Sequence, residues 1–196
     1  MASLDNPFKQ LGRPEVFSKG HRNPQGIDVA VEFDTVLAAE HGPQGGDEIN
    51  VIKSEYSLPN YGWPIASYGH HYGYPENKME KEYARAPLKK SHSKYGFIEP
   101  LKYFPDESPA LSQIIKENKF ENYNDDKIVL YQATLGDLNY GSKTIFKFVL
   151  DSNLKIIENE NYLIDERVRD MIFLDEINKI IIYLETSGSI ALLENN

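Results

Sequence analysis

The chain has no cysteine among its 196 residues. Disulfides, thiolate metal sites and cysteine nucleophiles are thereby excluded. The redox compartment stays open, because a cysteine-free protein works in either. Long apolar runs are also missing. No stretch approaches the roughly 20 apolar residues of a membrane helix, so no membrane span is expected. Residues 1–14 show neither an apolar core nor a cleavage pattern, so no signal peptide is expected. Basic residues are in the minority, 21 against 30 acidic ones, for a net charge of −9. Apart from the short pair Lys89-Lys90 there is no basic patch, and a nucleic-acid partner is not expected. The serine elbow of hydrolases, the glycine-rich phosphate loop and the His-Glu zinc pattern are absent as well.

What is present points to strands. Hydrophobic residues make up 40% of the chain, enough for a packed core. Short runs rich in Val, Ile, Tyr and Phe, bounded by Gly, Asn, Asp or Pro, fall at residues 15–18, 26–32, 34–40 and 48–53. They resume at 127–133, 143–150, 154–164, 169–174, 179–185 and 189–193. This spacing predicts an all-β fold of antiparallel sheets: a sandwich, barrel or propeller. The one helical expectation covers residues 108–118, where Leu111, Ile114 and Ile115 would share a face. Residues 1–196 read as a single domain with a long inserted loop at 54–99, rich in Tyr, Gly, Pro, His and Lys.

Three segments can carry chemistry. In Gly20-His21-Arg22-Asn23-Pro24-Gln25-Gly26, a tight turn presents a guanidinium fork and two side-chain amides. It suits an anionic, carbonyl-rich ligand, or is simply a turn between strands. In Glu40-His41-Gly42-Pro43-Gln44-Gly45-Gly46-Asp47-Glu48, a glycine-rich bend offers main-chain carbonyls beside two carboxylates. Ca²⁺ takes about 6–8 such oxygens, although an acidic turn reads equally well. In Glu166-Arg167-Val168-Arg169-Asp170, the two arginines fall on one face of a strand. They make an anion site or pair with nearby carboxylates, and the residues alone favour pairing. His70 and His71 read as part of a solvated loop, and Trp63 as a packing anchor.

Taken in order, these segments resemble the soluble glucose/sorbosone dehydrogenase family. Asn60-Tyr61-Gly62-Trp63-Pro64 adds to the likeness, which is most specific over residues 20–69. The resemblance implies the second half of a six-bladed β-propeller, about three blades of four-stranded sheets. It implies a quinoprotein oxidoreductase that converts aldose sugars to lactones with pyrroloquinoline quinone (PQQ) and Ca²⁺, passing electrons to an external acceptor. Arg22, Asn23, Gln25, Arg167 and Arg169 would contact PQQ. The carbonyls of Gly42 and Pro43 would hold the active-site Ca²⁺. Glu48 and Tyr61 match two ligands of a second, structural Ca²⁺, while His71 stands where an acidic ligand would be expected. The family's catalytic base is a histidine upstream of the matched region, so the catalytic residue is expected outside this chain. Either a second copy or a separate N-terminal half would complete the ring. The resemblance implies a periplasmic or secreted location. A non-catalytic propeller-type binding module and an inactive fragment are the alternatives.

Overall fold

Eleven β-strands in three antiparallel sheets, with no α-helix, make up the described residues of the computed structural model. Those residues are 16–53, 55, 59–72, 88–105, 108–117, 127–136 and 143–194. The first sheet holds β1 (Pro24–Ala30), β2 (Thr35–Glu40), β3 (Asp47–Lys53) and β4 (Lys102–Phe104), in that order. The second holds β5 (Leu111–Lys116), β6 (Ile128–Thr134), β7 (Thr144–Leu150) and β8 (Ile156–Leu163). The third has three strands, β9 (Val168–Leu174), β10 (Lys179–Leu184) and β11 (Ser189–Leu193).

Each sheet is a meander, and the first strands of successive sheets adjoin: β1 packs beside β5, and β5 beside β9. That is how propeller blades surround an axis. Gly26 shows why this turn needs a glycine. A Cβ there would lie 2.4 Å from the Ser112 carbonyl oxygen and 2.7 Å from the Ile114 nitrogen. Only a residue without a side chain lets β1 approach β5 so closely.

Two apolar layers bind the sheets. Leu37, Ala39 and Ile49 of the first sheet meet Leu111, Ile114, Leu130 and Phe148 of the second. Tyr131, Ile145 and Val149 on the other side of the second sheet meet Met171, Ile180 and Ile182 of the third. The inner strands of the second sheet are thus buried on both faces, β6 along its whole length, while β8 is exposed. Each fully buried apolar side chain of this kind contributes about 1.5–3 kcal/mol.

The helical expectation for residues 108–118 is wrong, because Leu111–Lys116 form a strand. The reason is a register shift between Leu111 and Ile114. The irregularity puts Leu111 and Ile114 on one apolar layer and Ile115 on the other. A bulged strand buried on both sides therefore imitates helical spacing. Residues 16–18 are not a strand, although Lys19 makes a bridge to Asn60; residue 15 lies outside the described residues. β4 has no counterpart in the sequence reading. The 54–99 segment runs between β3 and β4, so it is an excursion inside one blade. Its described parts fold back on the bend between β2 and β3 through the bridge Gln44↔His70, and on each other through Ala66↔Lys89. Tyr61 and Ile98 pack with Val36, Ala38 and Ile52 on the sheet face turned away from the second sheet.

Candidate functional site

The turn before β1, the bend between β2 and β3 and the segment 60–67 enclose a recess. Arg22, Glu40, Gly42, Glu48, Tyr61 and Trp63 are among the residues lining it. Arg22, Gly42, Glu48 and Tyr61 were expected from the sequence to be site residues. Asn23 and Gln25 stand exposed beside it, with the Gln25 amide donating to Asn23 Oδ1 at 2.9 Å.

Arg22 is held in place by its neighbours. Its guanidinium donates to the His41 carbonyl at 3.1 Å and to the Tyr72 hydroxyl at 3.3 Å. It lies 5.2 Å from the centre of the Trp63 ring and 5.6 Å from that of Tyr72, within cation–π range. Trp63 thus packs as expected, and what it packs against is the arginine. The Arg22 Nε is buried and meets no acceptor. A donor in that state is one an anionic ligand can satisfy.

Glu40, which was given no role from the sequence, organises the turn. Buried at the end of β2, it accepts from the Arg22 main-chain N–H at 2.5 Å and from the Asn50 amide at 2.7 Å. It also contacts His21 Nδ1 at 3.1 Å. Asp47, the first residue of β3, does the same for the bend. Its carboxylate accepts from the Gly42 N–H at 3.0 Å, the Ser108 hydroxyl at 3.1 Å and the Leu111 N–H at 3.2 Å. Burial pushes the Asp47 carboxyl above its ordinary range, with His41 and these donors opposing. Gln44 and His70 clamp the far side of the bend through reciprocal main-chain bonds of 2.8 and 2.9 Å.

The bend presents main-chain carbonyls. Among the described residues no hydrogen bond is made to the carbonyls of Gly42 or Pro43, although both residues are buried. Free, oriented carbonyls are the donor chemistry Ca²⁺ prefers. Glu48 and Tyr61 differ. Glu48 faces His92 Nε2 at 3.2 Å and the Asn50 amide at 3.4 Å, and the Tyr61 hydroxyl donates to the Val51 carbonyl at 2.7 Å. Burial raises the Glu48 pKa, opposed by the His92 contact. The described residues contain no group of three or more His, Asp or Glu side chains placed to hold a metal ion.

Arg167 and Arg169 sit at the head of β9, and both engage Glu185. Arg167 Nε is 3.0 Å from Glu185 Oε2, and an Arg169 terminal nitrogen lies 2.9 Å from each carboxylate oxygen. The pairing reading of these residues is what the structure displays. Two guanidiniums on one carboxylate still leave one positive charge in excess. His70 and His71 are half-buried, not solvated.

A nearby carboxylate gives a pH prediction. Glu99 accepts from the Tyr68 hydroxyl, the Ser93 N–H and the Ser93 hydroxyl, each at 2.7 Å. Burial alone would raise its pKa, but these donors bring it from 4.5 down to about 2. A carboxyl depressed in the folded state adds stability above its unfolded pKa and loses it as pH falls through the folded one. Glu99→Gln should therefore be less stable than the parent at neutral pH. The difference in denaturation midpoint should shrink between pH 4.5 and about 2. A difference that stays constant across that window contradicts this account.

A partial propeller with an arginine turn and a carbonyl bend defines a class, and comparison with known proteins defines the family. Residues 1–191 match the glucose/sorbosone dehydrogenase family, and the chain belongs to it. It is 34% identical over 172 residues to the aldose sugar dehydrogenase YliI of Escherichia coli, covering 85% of this chain and 41% of that protein. An uncharacterised protein of Synechocystis, slr1608, is 33% identical over 170 residues, 85% of this chain and 36% of its own length. Quinoprotein glucose dehydrogenase B of Acinetobacter calcoaceticus is 39% identical over 71 residues, 36% of this chain and 14% of that protein. Among solved structures, a glucose dehydrogenase superposes with a TM-score of 0.75 at 27% identity, covering 100% of this chain and 52% of that one. The soluble aldose sugar dehydrogenase of Escherichia coli, in its apo-form, superposes with a TM-score of 0.73 at 26% identity, covering 97% of this chain and 50% of that one. The chain thus spans less than half the length of the curated relatives and about half of the solved ones.

Proposed function

We propose that this chain is the cofactor-holding arc of a PQQ- and Ca²⁺-dependent aldose dehydrogenase of the periplasm or cell exterior. The observation that carries the reading is the locked bend. Asp47 fixes the Gly42 N–H, while the carbonyls of Gly42 and Pro43 accept nothing from the described residues. Those two carbonyls would hold Ca²⁺. Arg22, Asn23 and Gln25 would bind the carboxylates and carbonyls of PQQ, and the excess charge at Arg167 and Arg169 would favour an anionic form of it. When bound, the Ca²⁺–quinone pair supplies the two-electron acceptor for sugar oxidation. The chain's own contribution is orientation and charge. The Trp63 and Tyr72 rings hold the Arg22 guanidinium, and Glu40 fixes the main chain that carries it.

The rest of the ring comes from outside the described residues. Ile27 and Val29 are exposed on the outer face of the first sheet. Ile172, Ile190 and Leu192 are exposed together on the outer face of the third, aligned by the pairings Ile172↔Ile181↔Leu192 and Tyr183↔Ile190. Apolar sheet faces of this kind mark interfaces. The remainder of the ring would cover them and carry the catalytic base; a second copy of this chain would cover them without supplying that base.

The test is titration with PQQ at fixed Ca²⁺, followed by calorimetry and by the quinone absorbance, and then aldose oxidation with a dye acceptor. Ca²⁺-dependent PQQ binding is expected, weakened at least about tenfold by Arg22→Ala, the scale of one lost charge-assisted contact. Absence of binding with and without Ca²⁺ would sink the reading.

A further inference from the structure

We propose that the ring of His92 occupies the place of the second, structural cation, so that this chain does not bind Ca²⁺ between Glu48 and Tyr61. The inference rests on the family reading of those two residues as cation ligands. It concerns a different place from the Gly42–Pro43 bend.

The geometry leaves the cation no room. His92 is 1% exposed, and its Nε2 lies 3.2 Å from Glu48 Oε1. Both nitrogens of the ring are buried and make no hydrogen bond, so Nε2 is in close contact with the carboxylate without being bonded to it. The ring therefore sits against the carboxylate that would otherwise coordinate the metal. The remaining oxygens are already engaged. Glu48 Oε2 is 3.4 Å from the Asn50 amide, and the Tyr61 hydroxyl donates to the Val51 carbonyl at 2.7 Å. A Ca²⁺ ion needs about 6–8 oxygens around it. Here it would find a ring nitrogen pressed against the one carboxylate within reach.

The ring is firmly placed. It stacks on Tyr68 with centroids 5.2 Å apart and planes 13° from parallel. His92 also accepts, through its main-chain carbonyl, the N–H groups of Tyr95 and Phe97 at 3.0 Å. Glu40 likewise meets a histidine, His21, at 3.1 Å. Among the described residues the buried atoms here without a hydrogen-bond partner are Asn50 Oδ1 and the two His92 ring nitrogens, and one oxygen does not make a calcium shell. The ring thus packs between Tyr68 of the 60–72 segment and Glu48 of the first sheet, in the space a cation would need.

The experiment counts Ca²⁺ bound to the chain, by calorimetry and by elemental analysis after dialysis, for the parent and for Glu48→Gln. Equal stoichiometry in the two is expected. A stoichiometry of one in both places the ion at the bend, whereas zero in both sinks the bend reading and leaves this one standing. A drop of one on Glu48→Gln overturns the proposal. The parent alone gives a second measurement that does not depend on the variant folding. Its His92 ring resonances should stay in place as CaCl₂ is added, and displacement of them at saturating Ca²⁺ overturns the proposal.

Discussion

Asp47→Ala is expected to lower the free energy of unfolding by about 3–5 kcal/mol, read from denaturant titration. The carboxylate is 0% exposed and accepts three hydrogen bonds. Two of the donors are main-chain N–H groups, those of Gly42 and Leu111, and Leu111 is itself 0% exposed. Each buried donor left without an acceptor costs about 1–3 kcal/mol. The loss is not confined to one strand. Gly42 belongs to the first sheet's bend and Leu111 opens the second sheet, so the carboxylate ties two blades together. The variant should also bind Ca²⁺ more weakly, because the Gly42 N–H no longer fixes the direction of the carbonyls beside it. Asp47→Asn should fall between the two, since its amide retains one acceptor and turns a donor toward a donor. A loss below about 1 kcal/mol for the alanine variant would show that the bend does not depend on this residue.

The difference between what was legible in the sequence and what was not follows sequence separation. Strands such as Thr144–Leu150 and Lys179–Leu184 announce themselves, because β-branched runs bounded by turn residues are local signals. The Arg22 turn and the Gly42-Pro43 bend are legible for the same reason: glycine and proline beside polar residues describe a local backbone. The groups that hold them are not. Asp47 finds Leu111 64 residues away and Glu40 finds Arg22 18 residues back, and nothing in either neighbourhood names the partner. Glu185 reaches Arg167 and Arg169 only because the β9–β10 hairpin sets Tyr183 opposite Asp170 and Leu184 opposite Val168. β4 was invisible because Lys102–Phe104 has too few residues to show a period, and it pairs with β3 across the whole 54–99 excursion. The family resemblance matched Glu48 to a cation ligand, and only the fold shows that His92 lies 3.2 Å from its carboxylate.

Gly46→Ala should destabilise the protein by about 4 kcal/mol or more, with loss of folded yield. Gly46 has φ +71°, a conformation that costs a residue with a Cβ about 1–2 kcal/mol. That part is shared with other glycines. The larger part is collision. A Cβ here would lie 2.0 Å from the Gly69 nitrogen, 2.6 Å from its Cα and 2.8 Å from the Tyr68 carbonyl carbon. All three are backbone atoms, so no rotamer change relieves the contact. The segment must move, and it carries the main-chain clamp between Gln44 and His70. Gly46 also donates to the Phe104 carbonyl at 2.6 Å, the bond that seats β4 against the bend. Gly96 separates the two contributions. Its φ is +80°, yet a Cβ there would meet nothing within 4 Å. Gly96→Ala should therefore show the conformational cost alone, about 1 kcal/mol. A gap of roughly 3 kcal/mol between the two variants measures how tightly segment 68–70 is pressed on the bend. Equal losses would mean that the segment yields freely, and the bend would then lack the rigidity that its proposed Ca²⁺ carbonyls require.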